Sequence, residues 1–269
     1  MRKIFKIGII TSLALFTLGL GFLIAAVALG ATWAQFTDNV TAGPLWMPWT
    51  IGSVGTRNTD HTDRISFPDA DKLEIRLGAG TLDIRETDDD QITVETISDP
   101  SGIVQTDLVG KTLKINTGST STKQKVEICL YLPEDLYFYS ADLELGAAAV
   151  TVDYLEADEL NVKLGAGTLD CSGEITADQS DWTVGVGSLY LEYLDCENVS
   201  LDCGMGSMAV TMADEQDDYA CDVSCGAGAV NIGDNTFSLG SHSSKGDDPD
   251  GKLDVRCGMG SVDIVFYDE

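Results

Sequence analysis

Seven cysteines, 44 acidic residues, two histidines and a series of Gly-x-Gly units are the parts of this sequence whose residue types can do chemistry. Thiolates and imidazoles hold zinc or act as nucleophiles and bases. Clustered carboxylates hold calcium, and bent glycine backbones can aim several N–H groups at a phosphate. In each case the spacing decides whether that chemistry is available.

The cysteines do not have metal spacing. A zinc site wants short Cys-x2-Cys or Cys/His pairs, and Cys221 and Cys225, four apart on one strand face, have no second pair beside them. Cys203, Cys225 and Cys257 each stand just before a Gly-x-Gly unit, where other copies of the unit carry Leu77, Leu145, Leu164 or Val184. They therefore read as small core hydrophobes. The acidic runs Glu86–Asp90, Glu215–Asp218 and Asp247–Asp250 match neither the EF-hand loop nor the Gly-Gly-x-Gly-x-Asp calcium repeat, and read as solvated turns. His61 and His242 fall in loop-like stretches, and no Gly-x-Ser-x-Gly or His-Glu-x-x-His motif is present. Lys163, Arg76 and Arg256 lie scattered among acids, which disfavours a groove for anionic uronates. No catalytic residue, metal ligand or cofactor is expected.

The Gly-x-Gly units lead into no helical pattern, so they read as corners of a repeat rather than phosphate loops. Three copies are close: Leu73-Glu-Ile-Arg-Leu-Gly78-Ala-Gly80-Thr-Leu-Asp-Ile84, Leu160-Asn-Val-Lys-Leu-Gly165-Ala-Gly167-Thr-Leu-Asp-Cys171 and Leu253-Asp-Val-Arg-Cys-Gly258-Met-Gly260-Ser-Val-Asp-Ile264. Weaker copies centre on Gly146, Gly185 with Gly187, Gly204 with Gly206, and Gly226 with Gly228. From Gly146 the first glycines are spaced 19, 20, 19, 22 and 32 apart, a period of about 20 residues of the kind that marks stacked arrays. Alternation of period two makes each half-unit a strand whose apolar face points inward. The glycines permit a sharp bend against a neighbouring coil. The expected fold is all-β, a parallel β-solenoid of about 20 residues per turn in which successive turns bury one core. Three further turns are expected around Ile92–Val94, Leu113–Ile115 and Val126–Ile128, and a surface loop over Ser238–Gly251.

The repeated unit, together with Val126-Glu-Ile-Cys-Leu-Tyr-Leu-Pro133 and the strand pattern after it, resembles the DUF4097 β-strand-repeat family, adhesin-like proteins of bacterial envelopes. The resemblance spans roughly Phe67 to Glu269. It implies a β-solenoid-like domain, often attached to a membrane helix in Gram-positive bacteria. It brings no established catalytic residues.

Ahead of the repeat, Ile7 to Ala31 runs 25 residues without a charge. As a helix it would rise about 37 Å, more than the roughly 30 Å of a hydrocarbon core. This predicts one N-terminal transmembrane helix. A cleaved secretory signal is the competing reading, with Ala26-Val27-Ala28 as a small-x-small site. Arg2, Lys3 and Lys6 precede the span and no Lys or Arg follows until Arg57, which puts the N-terminus in the cytoplasm and the β domain outside. The expected organisation is a cytoplasmic stub over 1–6, a transmembrane helix over 7–31, a connector over 32–66 and an extracytoplasmic β-repeat domain over 67–269. Thr17, Gly21 and Ala25 form a small-residue stripe to which a membrane partner helix can pack.

Composition narrows the function. The formal net charge is −28, with 16 Lys and Arg in all, so the chain repels nucleic acid. A non-enzymatic, membrane-anchored binding, adhesion or scaffold module at a bacterial cell surface is expected, with a protein or glycan ligand. Regulation of envelope stress through a membrane partner is the alternative, and a glycan-active β-helix enzyme ranks third. An odd number of thiols argues against a disulfide scaffold. Quantitative thiol labelling of the purified protein is accordingly expected to find free cysteines, and full oxidation would overturn that expectation.

Overall fold

The computed structural model describes residues 63–118, 125–245 and 249–267. The span expected over 7–31, the stub before it, and most of the connector lie outside these residues. Among the described residues, no helix is long and apolar enough to cross a membrane.

Fourteen strands form one continuous sheet: β1 (Asp63–Phe67), β2 (Lys72–Thr87), β3 (Ile92–Ser98), β4 (Gln105–Val109), β5 (Thr112–Asn116), β6 (Val126–Pro133), β7 (Tyr137–Cys203), β8 (Ser207–Met212), β9 (Tyr219–Cys225), β10 (Ala229–Ile232), β11 (Asn235–Phe237), β12 (Gly240–Lys245), β13 (Gly251–Cys257) and β14 (Ser261–Phe266). The 67 residues of β7 remain extended through the glycine corners at Gly146, Gly165 with Gly167, and Gly185 with Gly187. Its burial alternates as the sequence does. Leu160, Val162 and Leu164 are buried, while Lys163 is exposed.

Coils stack with their corners in contact. A Cβ placed on Gly165 would lie 2.8 Å from the Gly146 carbonyl oxygen, one on Gly185 2.6 Å from that of Gly165, and one on Gly204 2.7 Å from that of Gly185. The β2 coil lies in parallel register on the first lap of β7, with Leu73 beside Ala141, Leu77 beside Leu145 and Ile84 beside Val152. The columns of inward side chains fuse into a single hydrophobic cluster running through the whole stack. The core also takes aromatic side chains, Phe138, Trp182 and Tyr219. Trp182 is buried two positions from the small Ser180, and the Trp182 Nε1–H and Ser180 Oγ have no hydrogen-bond partner among the described residues.

Three expectations need correction. Coils follow chain order only within β7. The β13–β14 coil sits between the last β7–β8 coil and the β9–β10 coil, pairing Cys257 with Cys203 on one side and with Cys225 on the other. Likewise β2 lies between β7 and the coil formed by β5 and β6. The first and last coils of the repeat are thus each tucked one place in from an end. Second, the segment between Gly78 and Gly146 does not form three turns. Strands β5 and β6 supply the halves of one coil, and β4 and β3 run antiparallel along them as caps, with β1 antiparallel on β3. Alternating apolar residues occur in parallel and antiparallel strands alike, so the pattern could not separate the two. Third, the stretch read as a loop over Ser238–Gly251 contains β12, antiparallel on β9, while β11 folds back on β10. Being an edge strand exposed on both faces, β12 carries Ser and His and shows no apolar alternation. In addition, β1 begins at Asp63, inside the stretch read as connector.

The tightest corner contacts set the first test. Gly167, at φ +130°, leaves a would-be Cβ only 1.8 Å from the Ala148 carbonyl oxygen. Gly110, at φ +66°, faces nothing within 4 Å. In urea unfolding, Gly167→Ala is expected to cost about 3 kcal/mol or more through steric overlap and backbone strain. Gly110→Ala has only the left-handed backbone to oppose it and is expected to cost about 1 kcal/mol.

Candidate functional site

A parallel ladder places equivalent residues of neighbouring coils side by side, so the surface is organised as columns. The residue between the two corner glycines points outward. Its backbone N–H bonds the adjacent coil: Met205 N–H donates to the Gly185 carbonyl (2.9 Å), Met259 N–H to Gly204 (2.8 Å) and Ala227 N–H to Gly258 (2.8 Å). Val186, Met205 and Met259 therefore occupy three consecutive coils and are exposed by 49%, 53% and 64%. At a coil spacing of about 4.8 Å they form an apolar strip about 10 Å long. Tyr190, also exposed, stands three positions past Gly187 in the coil of Val186.

Outward columns of the flanking strands are charged. Glu74 lies beside Asp142, and Asp254 beside Asp222. Like charges directly opposite destabilise a sheet, and three cations sit at these pairs. Lys114 pairs with Glu74, Arg76 bridges Glu74 (2.9 Å) and Glu144 (3.4 Å), and Lys252 meets Asp254 (2.8 Å). The Lys114 hydrogen bond holds the Glu74 carboxyl below its ordinary value. Exposed tyrosines sit among the acids. Tyr137 and Tyr139 meet edge to face at 5.8 Å, and the Tyr137 hydroxyl donates to Asp158, which pushes its pKa up to about 12.

Cys203, Cys257 and Cys225 form one inward column in direct register, all buried and unbonded. Cys171 and Cys196 are also in the core. Burial raises the pKa of Cys171, Cys203, Cys221 and Cys257, and brings that of Cys196 up to about 11. These five thiols are poorer nucleophiles than an ordinary cysteine. Cys129 is the exception in position. It lies on the outer side of β6, packed beneath Tyr131, whose hydroxyl donates to Glu95 (3.1 Å) and whose ring carries Arg64 at 5.2 Å. Burial raises that thiol too. This constellation escaped the sequence pattern, since Cys129 is flanked by apolar residues on both sides.

Of the acidic runs, Glu86 and Asp88 come close to Glu134, and Asp88 foremost raises the Glu134 carboxyl. The run Glu215–Asp218 closes a capping box on a single 3-10 turn. His242 sits on β12 with its ring 5.2 Å from that of Phe237, and His61 lies outside the described residues. Among the described residues, no group of three or more His, Cys, Asp or Glu side chains is arranged to hold a metal ion.

The class is thus an all-β protein with a surface built of repeated columns. A family model, Toastrack DUF4097, matches residues 70–249, and the chain belongs to that family. The search of curated proteins found no match. Solved structures similar to this chain include a candidate adhesin from Bacteroides fragilis (13% identity, TM-score 0.41), covering 77% of this chain and 98% of its own. A candidate cell adhesion protein from Clostridium sporogenes is 12% identical with TM-score 0.35, covering 77% and 100%. A candidate lipid-binding protein from Parabacteroides distasonis is 15% identical with TM-score 0.35, covering 77% and 98%.

The buried thiols give a pH dependence of definite sign. A thiol whose folded pKa is raised stays protonated after the unfolded chain would have ionised, so its contribution is complete below about 8.5. For Cys196 it is lost as pH rises through about 11. Urea midpoints measured at pH 7.5 and 10 are expected to fall between the two. Cys196→Ala is expected to lower the neutral midpoint but to flatten that fall.

Proposed function

We propose that this chain is a non-enzymatic binding module displayed outside a bacterial membrane. In this reading the stretch 7–31 anchors it with its N-terminus in the cytoplasm, and the β domain is a solenoid of about 20 residues per turn. The strip of Val186, Met205 and Met259, one exposed apolar residue on each of three consecutive coils, carries the proposal. Contiguous exposed apolar residues rimmed by polar ones mark interaction sites. These are presented at fixed intervals by a rigid sheet, which suits an extended protein or glycan ligand. The raised thiols and the solvated histidine of β12 support a binding role over a catalytic one.

Regulation through a membrane partner is the second reading, supported by the small-residue stripe Thr17, Gly21 and Ala25. Replacing 7–31 with an unrelated span separates the two, because only regulation through a partner helix depends on that stretch. Turnover in a glycan hydrolysis screen would instead make the protein an enzyme.

The binding surface is tested by screening the full chain against envelope proteins and surface glycans. Met205→Lys/Met259→Lys is expected to weaken binding of a recovered ligand about tenfold or more, as loss of a central apolar contact does. Val109→Lys, at an exposed apolar site on β4, serves as the control and is expected to leave binding unchanged. Equal binding by all three proteins would exclude the strip.

A further inference from the structure

The three cysteines of the inward column lie where the stack leaves chain order. Cys257 belongs to the inserted β13–β14 coil and has Cys203 in register on one side and Cys225 on the other. Neighbouring parallel strands are about 4.8 Å apart, within the Cα range of roughly 4.4 to 6.8 Å that a disulfide spans. The side chains are aimed along the stack. The Cys257 sulfur lies 2.6 Å from where a Cβ on Gly228 would be, and the Cys203 sulfur 2.8 Å from that of Gly260. Each thiol thus leans under the glycine corner of the next coil.

We propose that Cys257 and Cys225 form a reversible disulfide that latches the inserted coil to the end coil. The choice of Cys225 over Cys203 follows from freedom to move. In-register Cβ atoms start about 4.8 Å apart and a disulfide brings them to about 3.8 Å, so one coil must shift. The β9–β10 coil has only the short caps β11 and β12 on its far side, whereas the Cys203 coil is backed by the remaining laps of β7. The bond therefore carries some strain and is easily reduced, as regulatory disulfides are.

The oxidant is a small disulfide such as oxidised glutathione. One thiolate of the pair attacks it, forming a mixed disulfide and releasing one glutathione thiolate. The other then attacks the protein sulfur of that intermediate, closing the protein bridge and releasing the second glutathione. The protein loses two protons and two electrons, and the reagent gains both electrons. The Gly228 corner lies over the Cys257 sulfur, and Cys257 and Cys225 are 3% and 5% exposed as residues, so reaction awaits local opening of the end coil. Burial raises the Cys257 thiol, and the exchange is expected to quicken as pH rises.

The test incubates the full chain with oxidised glutathione, alkylates the remaining thiols and maps the peptides. A Cys225–Cys257 bridge is expected, with Tm raised by about 5 °C and restored by a thiol reductant. Cys203→Ser is expected to keep the bridge and Cys225→Ser to lose it. Mapping of the unmutated chain needs no variant to fold. Any other pairing there, or seven thiols all open to alkylation after oxidation, would overturn the proposal.

Discussion

Backbone meets backbone at every glycine corner, and the rest of the molecule depends on that contact. With a would-be Cβ of Gly187 2.1 Å from the Gly167 carbonyl oxygen and that of Gly206 2.2 Å from Gly187, the coils can approach only where no side chain intervenes. The same close approach fixes register. Once two corners are seated, the residues flanking them are aligned with their counterparts, and inward positions become columns of Leu, Val, Ile and Cys. Outward positions become columns as well, so a substitution in one coil acquires neighbours from two others.

That alignment has an electrostatic consequence. Repetition of an acidic unit places carboxylates opposite carboxylates, and 16 cations cannot offset 44 acids one for one. The structure concentrates Lys114, Arg76 and Lys252 on the ladder positions where repulsion is closest. Elsewhere carboxylates accept from hydroxyls and amides, as Asp83 does from Thr151 (2.6 Å) and Asp222 from Ser243 (2.6 Å). The apolar strip at the corner differs from these charged columns in presenting one exposed apolar side chain on each of three consecutive coils.

A parallel stack also has two open ends, each a row of unpaired N–H and C=O groups that invites aggregation. Both ends here are capped the same way, by short strands that run antiparallel to the end coils. Strands β4 and β3 cover β5 and β6, while β12 and β11 cover β9 and β10. The first and last coils, β2 and β13–β14, fill the places one step inside. Burying the terminal coils between neighbours gives each of them two partner ladders instead of one.

How much of this was legible follows from what is local and what is not. Period-two alternation and the Gly-x-Gly spacing determined strands, corners and the inward position of Cys203, Cys225 and Cys257, since each depends only on a residue and its immediate neighbours. The sequence by itself likewise determined the acidic surface. The order of coils was decided only in the tertiary structure. Cys225-Gly-Ala-Gly and Cys257-Gly-Met-Gly offer nearly the same edge to Cys203-Gly-Met-Gly, so no local preference separates them. What separates them is that β12 already occupies one edge of β9, leaving the inserted place for β13. The exposed strip was hidden for the same reason, because Val186, Met205 and Met259 lie far apart along the chain and become neighbours only when the corners stack.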